Sequence, residues 1–512
     1  MAGSIVGKVL ACIVLVVLCF IIGAQAAESA ASSMVIIAAV VGVVFMLIMG
    51  PRSWMLLFLL PPIIQVLPLP YSLARFNNHY LVAIVVLGYW IVMWGMGYVK
   101  MRWRSMWVLD ALAFFIFSLV VASYIKKPIS INVLGMDTDN IGGRPYVLAI
   151  GAFIYYLTIS FIPVKNEQLG KVLNWSIWVT LVSVFLVTLK GLAGYGAAGY
   201  DGMAEDMQGS RFGAFLMLGE YAVVLLYALF PLVRFIINPA LLLGMAASFG
   251  MILISGFRSF FAIKVVALVF MSIVKKEFCL MVGLAGLCYA GLILMSAGGG
   301  LSVLPYGVQR VAGAIPGVIV DSEAQRDGDA SSDWRYEMWG WALDPRTRFI
   351  KDYVWGDGIG LSKKENDRDM RAIMRREILF GDQNQFASSK QWHSMIVTTI
   401  QSWGYVGLVA VFLIVNCTGL LIIRICMSLR GTSIYVPALI MLMPFTSNLV
   451  FFYLDAGTLE KFFNFFVSIA QAKFFYCVAR EEGLLIPWGQ RKRYIPKMIQ
   501  DYEDKLRPAQ QQ

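Results

Sequence analysis

Charge is scarce in this chain. Asp, Glu, Lys and Arg supply 14% of its 512 residues, where a soluble domain carries roughly 25%. So few ionisable groups cannot cover a chain of this length with a water-facing surface. A hydrophobic share of 59% and a mean hydropathy of +0.72 point the same way, toward a helical membrane domain. Histidine is scarcer still, with only His79 and His393. The seven cysteines (Cys12, Cys19, Cys279, Cys288, Cys417, Cys426 and Cys477) all fall in apolar runs. They read as small buried hydrophobes, with no disulfide framework and no zinc spacing. Internal repeats and low-complexity tracts are also lacking. The net charge of +11 comes from basic residues clustered at the ends of apolar runs. There they set membrane orientation, which argues against a nucleic-acid partner and leaves room for an anionic lipid-linked one.

What the chain has in abundance is apolar runs near the length that spans a bilayer, about 20 residues. They cover 9–27, 34–50, 54–72, 80–99, 106–124, 145–163, 172–193, 212–232, 235–256, 259–274, 278–297, 404–427, 433–454 and 459–478. The run 54–72 is broken by Pro61-Pro62, and 259–274 is short. Lys8, the first apolar stretch and Ala24-Gln25-Ala26 resemble a cleavable signal peptide. A second apolar run follows almost at once, which favours an uncleaved first span. The expected fold class is an all-α polytopic membrane protein with about 12–14 spans.

Orientation follows from the basic residues in the short connections. Lys100, Arg102 and Arg104, then Lys165 and Lys171, Arg234, Lys275-Lys276, Arg424 and Arg430 all fall on one side if the spans alternate. The tail, with Arg480, Arg491, Lys492, Arg493 and Lys497, joins them. That side is expected to be the cytosol, with both termini inside. The chain then divides into an N-terminal bundle over 1–299, an outer loop over 300–392, C-terminal spans over 393–480 and a basic tail over 481–512. A loop that long is usually functional. This one holds Trp334, Trp339, Trp341, Phe349, Tyr353 and Trp355, enough aromatic surface for a partly helical cap.

Three features of the outer side could carry chemistry. His393 stands where the loop re-enters the membrane, eleven residues before Gly404-Tyr405-Val406-Gly407. An imidazole there reads as a general base or as an interfacial group bonded to backbone. Ser255-Gly256-Phe257-Arg258-Ser259 puts Arg258 in a tight outer turn, where its donor fork suits phosphate or snorkels to lipid headgroups. Within the loop, Arg335 opens the aromatic stretch Trp334–Leu343, and Gly356-Asp357-Gly358-Ile359-Gly360 forms a tight turn. That glycine run is not a nucleotide signature, since no strand–helix context surrounds it. Weaker candidates are Arg211, a phosphate contact or helix-end anchor, and Glu220, an intramembrane carboxylate expected to pair with Arg258 or Lys264. His79 and Arg75 read as interface residues. Asp137-Thr138-Asp139 matches the Asp-x-Asp of metal-dependent membrane glycosyltransferases, a very short signal.

In that order, these features resemble the O-antigen ligase and O-antigen polymerase superfamily of bacterial membrane enzymes. The order is an Arg in a short outer turn, a long loop with an Arg–aromatic helix and a Gly-x-Gly-x-Gly turn, then a His before Gly-x-x-Gly. The resemblance covers about 250–410 in detail and, upstream, only helix count and orientation. The family usually carries His-Asn where this chain has His393-Ser394. It usually carries Ser-Arg-Gly or Ser-Arg-Ser where Phe257 here precedes Arg258. The resemblance implies a membrane glycosyltransferase (GT-C-like) fold in the bacterial cytoplasmic membrane. It implies transfer of a glycan from an undecaprenyl-diphosphate carrier to a hydroxyl on a glycan, lipid or protein acceptor. His393 would be the base. Arg258 and Arg335 would hold the departing diphosphate, with Arg211, Glu220, Ser255 and Ser259 as candidate substrate contacts and neither metal nor cofactor required. The rival classes are a transporter or flippase for a lipid-linked glycan or polysaccharide, and a scaffold subunit of an export complex. A transporter would show related halves, and none are found.

Overall fold

A computed structural model describes residues 46, 48–67, 77–128, 143–162, 166–192, 215–255, 257–347, 349–359, 367, 371, 390, 392–453 and 458–485. Among the described residues every regular element is helical and no strand occurs. In chain order the α-helices are α1 (Leu56–Val66), α2 (Asn78–Gly95), α3 (Trp107–Lys126), α4 (Arg144–Ser160) and α5 (Asn166–Leu192). There follow α6 (Leu216–Leu229), α7 (Leu232–Ile237), α8 (Pro239–Ile254), α9 (Arg258–Lys275), α10 (Phe278–Ala297), α11 (Tyr306–Ala312) and α12 (Ser322–Leu343). The last four are α13 (Met395–Leu429), α14 (Tyr435–Leu442), α15 (Pro444–Tyr453) and α16 (Leu459–Glu481).

Six of these, α2, α3, α5, α10, α13 and α16, are long and apolar enough to cross a membrane. Several of them expose large apolar side chains. Trp175 and Trp178 on α5, and Leu287 and Leu294 on α10, are more than half exposed. Apolar surface on that scale is unfavourable in water and suits lipid. The protein is an all-α membrane protein.

Helix starts follow ordinary capping chemistry. Asn77, Asn238, Asp321, Ser394 and Thr458 each accept a backbone N–H of the helix they precede. Some expected spans are altered. The runs 9–27 and most of 34–50 lie outside the described residues. The run 54–72 is helical only to Val66 and carries Pro61 and Pro62 inside α1. The run 433–454 is two helices rather than one, because Pro444 lacks the N–H that would continue the ladder. The run 404–427 begins earlier, at Met395, and contains a break at Gly404, φ 67° and ψ −164°.

The bundle is built around α16. Of its most apolar stretch 89% is buried, whereas α10 buries none and stands at the edge. Helices α4, α13, α14 and α15 pack on α16. At one end of the bundle, Lys473 Nζ lies 2.5 Å from Asp110 Oδ1 and 2.7 Å from Ser160 Oγ. The Tyr156 hydroxyl donates to the same carboxylate oxygen, and the Met106 amide donates to the other. Arg104 and Glu481 close this end at 2.7 Å. At the other end Asn77 donates to Asn464 at 3.0 Å, and Arg144 meets Glu460 at 3.4 Å. The candidate site lies at this second end.

Candidate functional site

Helix α12 acts as a rail beside the site. Gly328 and Arg335 are seven residues apart, two turns at about 3.6 residues per turn, so they share one face about 10 Å apart along the axis. Arg258, the first residue of α9, donates from Nη2 to the Gly328 carbonyl at 2.8 Å. Gly328 has no side chain to obstruct it: a Cβ there would lie 3.2 Å from Arg258 Nη1. The same face continues through Met338 and Ala342, both fully buried against Trp392 and Val397. Arg258 and Arg335, 77 residues apart in the chain, are thus lined up along one helix.

His393 sits at the foot of this rail. Its ring meets Trp334 edge-on, centroids 5.9 Å apart, and the Arg335 guanidinium lies 5.5 Å from that same indole ring. Its backbone is left-handed, φ 50°, a conformation uncommon outside glycine. The flanking residues hold it there. Trp392 is fully buried, with Phe349 edge-on at 4.9 Å, and its carbonyl accepts the Trp339 indole N–H. Ser394 on the other side caps α13, accepting from the Val397 amide. Such a strained residue between two fixed anchors is characteristic of functional positions. Burial, then the positive charges of Arg335 and Lys461, push the His393 imidazole down from its ordinary 6.5 to about 4. It is neutral at neutral pH and holds a lone pair.

The strand-like turn at 353–358 interlocks with the break in α13. Asp357 and Gly358 donate their amides to the carbonyls of Gln401 and Ser402, at 2.7 and 3.1 Å. In return Tyr405 and Val406 donate to the carbonyls of Tyr353 and Val354, at 2.8 and 3.3 Å. The helix break exposes these groups, and the turn satisfies them. Backbone passes so close that a Cβ on Gly404 would overlap the Val354 carbonyl and one on Gly356 would overlap Trp403. Lys126, at the end of α3, fastens the turn by donating to the Gly356 carbonyl at 2.6 Å and to Asp352 at 3.1 Å. Residues 395–403 therefore form a short helix of fixed tilt, with His393 at its entrance.

The other candidates are dispersed. Glu220 on α6 pairs with Lys264 on α9 at 3.0 Å, both largely buried. This is one of the two partners its depth suggested. Ser255 is fully buried and donates to the Ile252 carbonyl at 2.6 Å, so its proton serves the end of α8. Ser259 is half-buried in the first turn of α9. His79 packs edge-on to Tyr155 at the start of α2. Arg75, Arg211 and Asp137-Thr138-Asp139 lie outside the described residues. Among the described residues, no group of three His, Cys, Asp or Glu side chains is placed to hold a metal ion.

Sequence reasoning missed Lys461. It lies in the first turn of α16, at the apolar end of the last span, and bears electrostatically on His393. Its sequence signal is only a basic residue three places after the capping Thr458. No protein-family model matches the chain, and no curated protein matches it.

Proposed function

We propose that this protein is a membrane glycosyltransferase of the O-antigen ligase and polymerase type. In this reading it moves a glycan from an undecaprenyl-diphosphate carrier to an acceptor hydroxyl at the outer face of the bacterial cytoplasmic membrane. About 12–14 spans form a GT-C-like bundle with both termini in the cytoplasm. The observation that carries it is His393, buried and neutral in a left-handed backbone beside Trp334, with the charges of Arg335 and Lys461 adding to the depression of its pKa. A sugar hydroxyl is a weak nucleophile and needs a base. A departing diphosphate needs fixed positive charge.

His393 takes the acceptor hydroxyl proton as the oxygen attacks the anomeric carbon. The bond from that carbon to the diphosphate oxygen breaks. The electron pair leaves with the diphosphate, which Arg258 and Arg335 hold. An imidazole near 4 is a poor proton acceptor, since a general base works best with a pKa near the working pH. A bound diphosphate offsets the part of that lowering that comes from Arg335 and Lys461, while burial, its larger cause, remains. The donor thereby strengthens the base when it is in place.

The test is a host deleted for this gene, complemented with wild type or His393→Ala at equal membrane levels. The reading expects carrier-linked glycan to accumulate on the outer leaflet while finished product is lost, and Arg258→Ala to behave alike. Finished product at wild-type levels would defeat it. Carrier-linked glycan trapped on the inner leaflet would favour the flippase reading, whose one structural support is the intramembrane Glu220–Lys264 pair.

A further inference from the structure

Two apolar side chains of the turn at 353–358 are exposed. Val354 is 53% exposed and Trp355 61%, while Gly356, Gly358 and Ile359 after them are buried. The turn lies against the ends of two spans. On one side Tyr353 stacks on Tyr405 of α13, ring centroids 6.2 Å apart with 30° between planes. On the other, Lys126 of α3 donates to the Gly356 carbonyl, and a Cβ on Gly358 would meet the Ser123 carbonyl at 3.5 Å.

Both spans carry an exposed apolar stripe that runs up to this turn. On α13 it is Tyr405, Val409 and Phe412, at the spacing of one helix face. On α3 it is Phe114, Val121 and Ile125. These are helices of membrane-spanning length and composition, and such stripes suit lipid. Val354 and Trp355 continue that surface at the level where the two helices end. The charges of the turn agree. Asp352 accepts from the Val354 and Trp355 amides and pairs with Lys126. Asp357 accepts from the Lys351 and Asp352 amides. Both carboxylates are thus engaged, and Lys351 is exposed. Lysine beside indole and phenol suits the headgroup layer, where amphipathic rings settle and lysine stems reach for phosphate.

We propose that this turn is a membrane anchor: Val354 and Trp355 seat in the interfacial layer of the lipid at this end of the bundle, with Lys351 among the headgroups. This holds whatever reaction the protein carries out. It adds lipid to the supports of residues 395–403, because the seated turn is the one that pairs with the break in α13. Tyr353 also donates to the Leu343 carbonyl at 3.2 Å, which ties the same turn to the end of α12.

For the test, full-length protein labelled with 5-fluorotryptophan is placed in phosphatidylcholine nanodiscs. Of the 14 tryptophan signals in fluorine NMR, Trp355→Phe removes one and so assigns it. Two relaxation agents are compared: a phosphatidylcholine with a nitroxide just below its ester carbonyls, and a water-soluble gadolinium chelate. The lipid nitroxide is expected to broaden the Trp355 signal severalfold more than the chelate does. Broadening by the chelate with none from the lipid puts the indole in water and overturns the proposal. Protection from both agents means that protein covers it, a second copy or another segment of the chain, and overturns it too. Trp355→Asp reads the coupling: amide exchange at Gly358 and Tyr405 should rise severalfold in nanodiscs, with Trp355→Tyr near wild type. Unchanged exchange in Trp355→Asp overturns the link from lipid to the helix break.

Discussion

Replacing Gly404 by alanine tests the interlock that aims His393. Gly404 has φ 67° and ψ −164°, a region that only glycine occupies freely. Forcing another residue there costs about 1–3 kcal/mol in backbone strain. The added methyl also overlaps the Val354 carbonyl, which is backbone and cannot rotate away. Relief requires the turn at 353–358 to lift off, which sacrifices four backbone hydrogen bonds at about 1 kcal/mol each. The strain and the contacts at risk are of the same size, so Gly404→Ala should shift the turn from docked to mostly undocked without unfolding the bundle. Hydrogen exchange should accelerate at residues 355–358 and 404–406 and stay unchanged in α4 and α16. Activity should fall with the exchange protection. Gly340→Ala is the control: it sits in the last turn of α12 with open space at its Cβ and should be neutral or slightly stabilising. Unchanged exchange at 355–358 in Gly404→Ala would refute the interlock as the element that sets the tilt of residues 395–403.

Three further outcomes follow from the geometry. In a His79→Gln background His393 is the sole histidine, and its acylation by diethylpyrocarbonate, which needs the neutral ring, should stay nearly flat from pH 8 to 5. A group with the ordinary value of 6.5 would lose roughly 30-fold over that range, and Arg335→Ala should restore part of that loss. Since the folded pKa lies below the unfolded one, the unfolded chain takes up the proton first, and His393 subtracts stability as pH falls from about 6.5 toward 4. Gly328→Ala puts a methyl 3.2 Å from Arg258 Nη1; it should weaken diphosphate binding several-fold at unchanged melting temperature, about 1 kcal/mol by the tenfold rule. Lys473→Met leaves Asp110 buried without its cation and should cost about 3–5 kcal/mol, with Asp110→Asn in the same chain recovering part of it; thermal melting in detergent reads both.

The all-α membrane class was legible because span length and apolar composition are local properties of the chain. Run boundaries failed where a single residue overrides them, as Pro444 does inside 433–454. The Glu220 partner was narrowed to two cations because depth along a helix can be read from sequence, while rotation about its axis depends on packing. Gly404 and Gly356 were each visible as breaks. That each lies against the backbone just before the other, Gly404 on Val354 and Gly356 on Trp403, is a tertiary fact with no sequence period. Lys461 escaped notice as the flank of a span, and the Asp110–Lys473 pair joins positions 363 residues apart. His393 stood out by rarity and position, but its suppressed basicity depends on burial first and then on the charges of Arg335 on α12 and Lys461 on α16, all of them tertiary.

The most direct test of the central claim is a transfer assay with purified protein in vesicles. The vesicles carry a glycan-diphosphate-undecaprenol donor and an acceptor hydroxyl, and free undecaprenyl diphosphate is quantified. Wild type should release it in step with glycosidic bond formation. His393→Ala should lose about 10²–10⁴-fold in rate, the span of general-base contributions, while still binding the donor. Wild-type release by His393→Ala, or donor crossing the bilayer with its anomeric bond intact, would contradict the account.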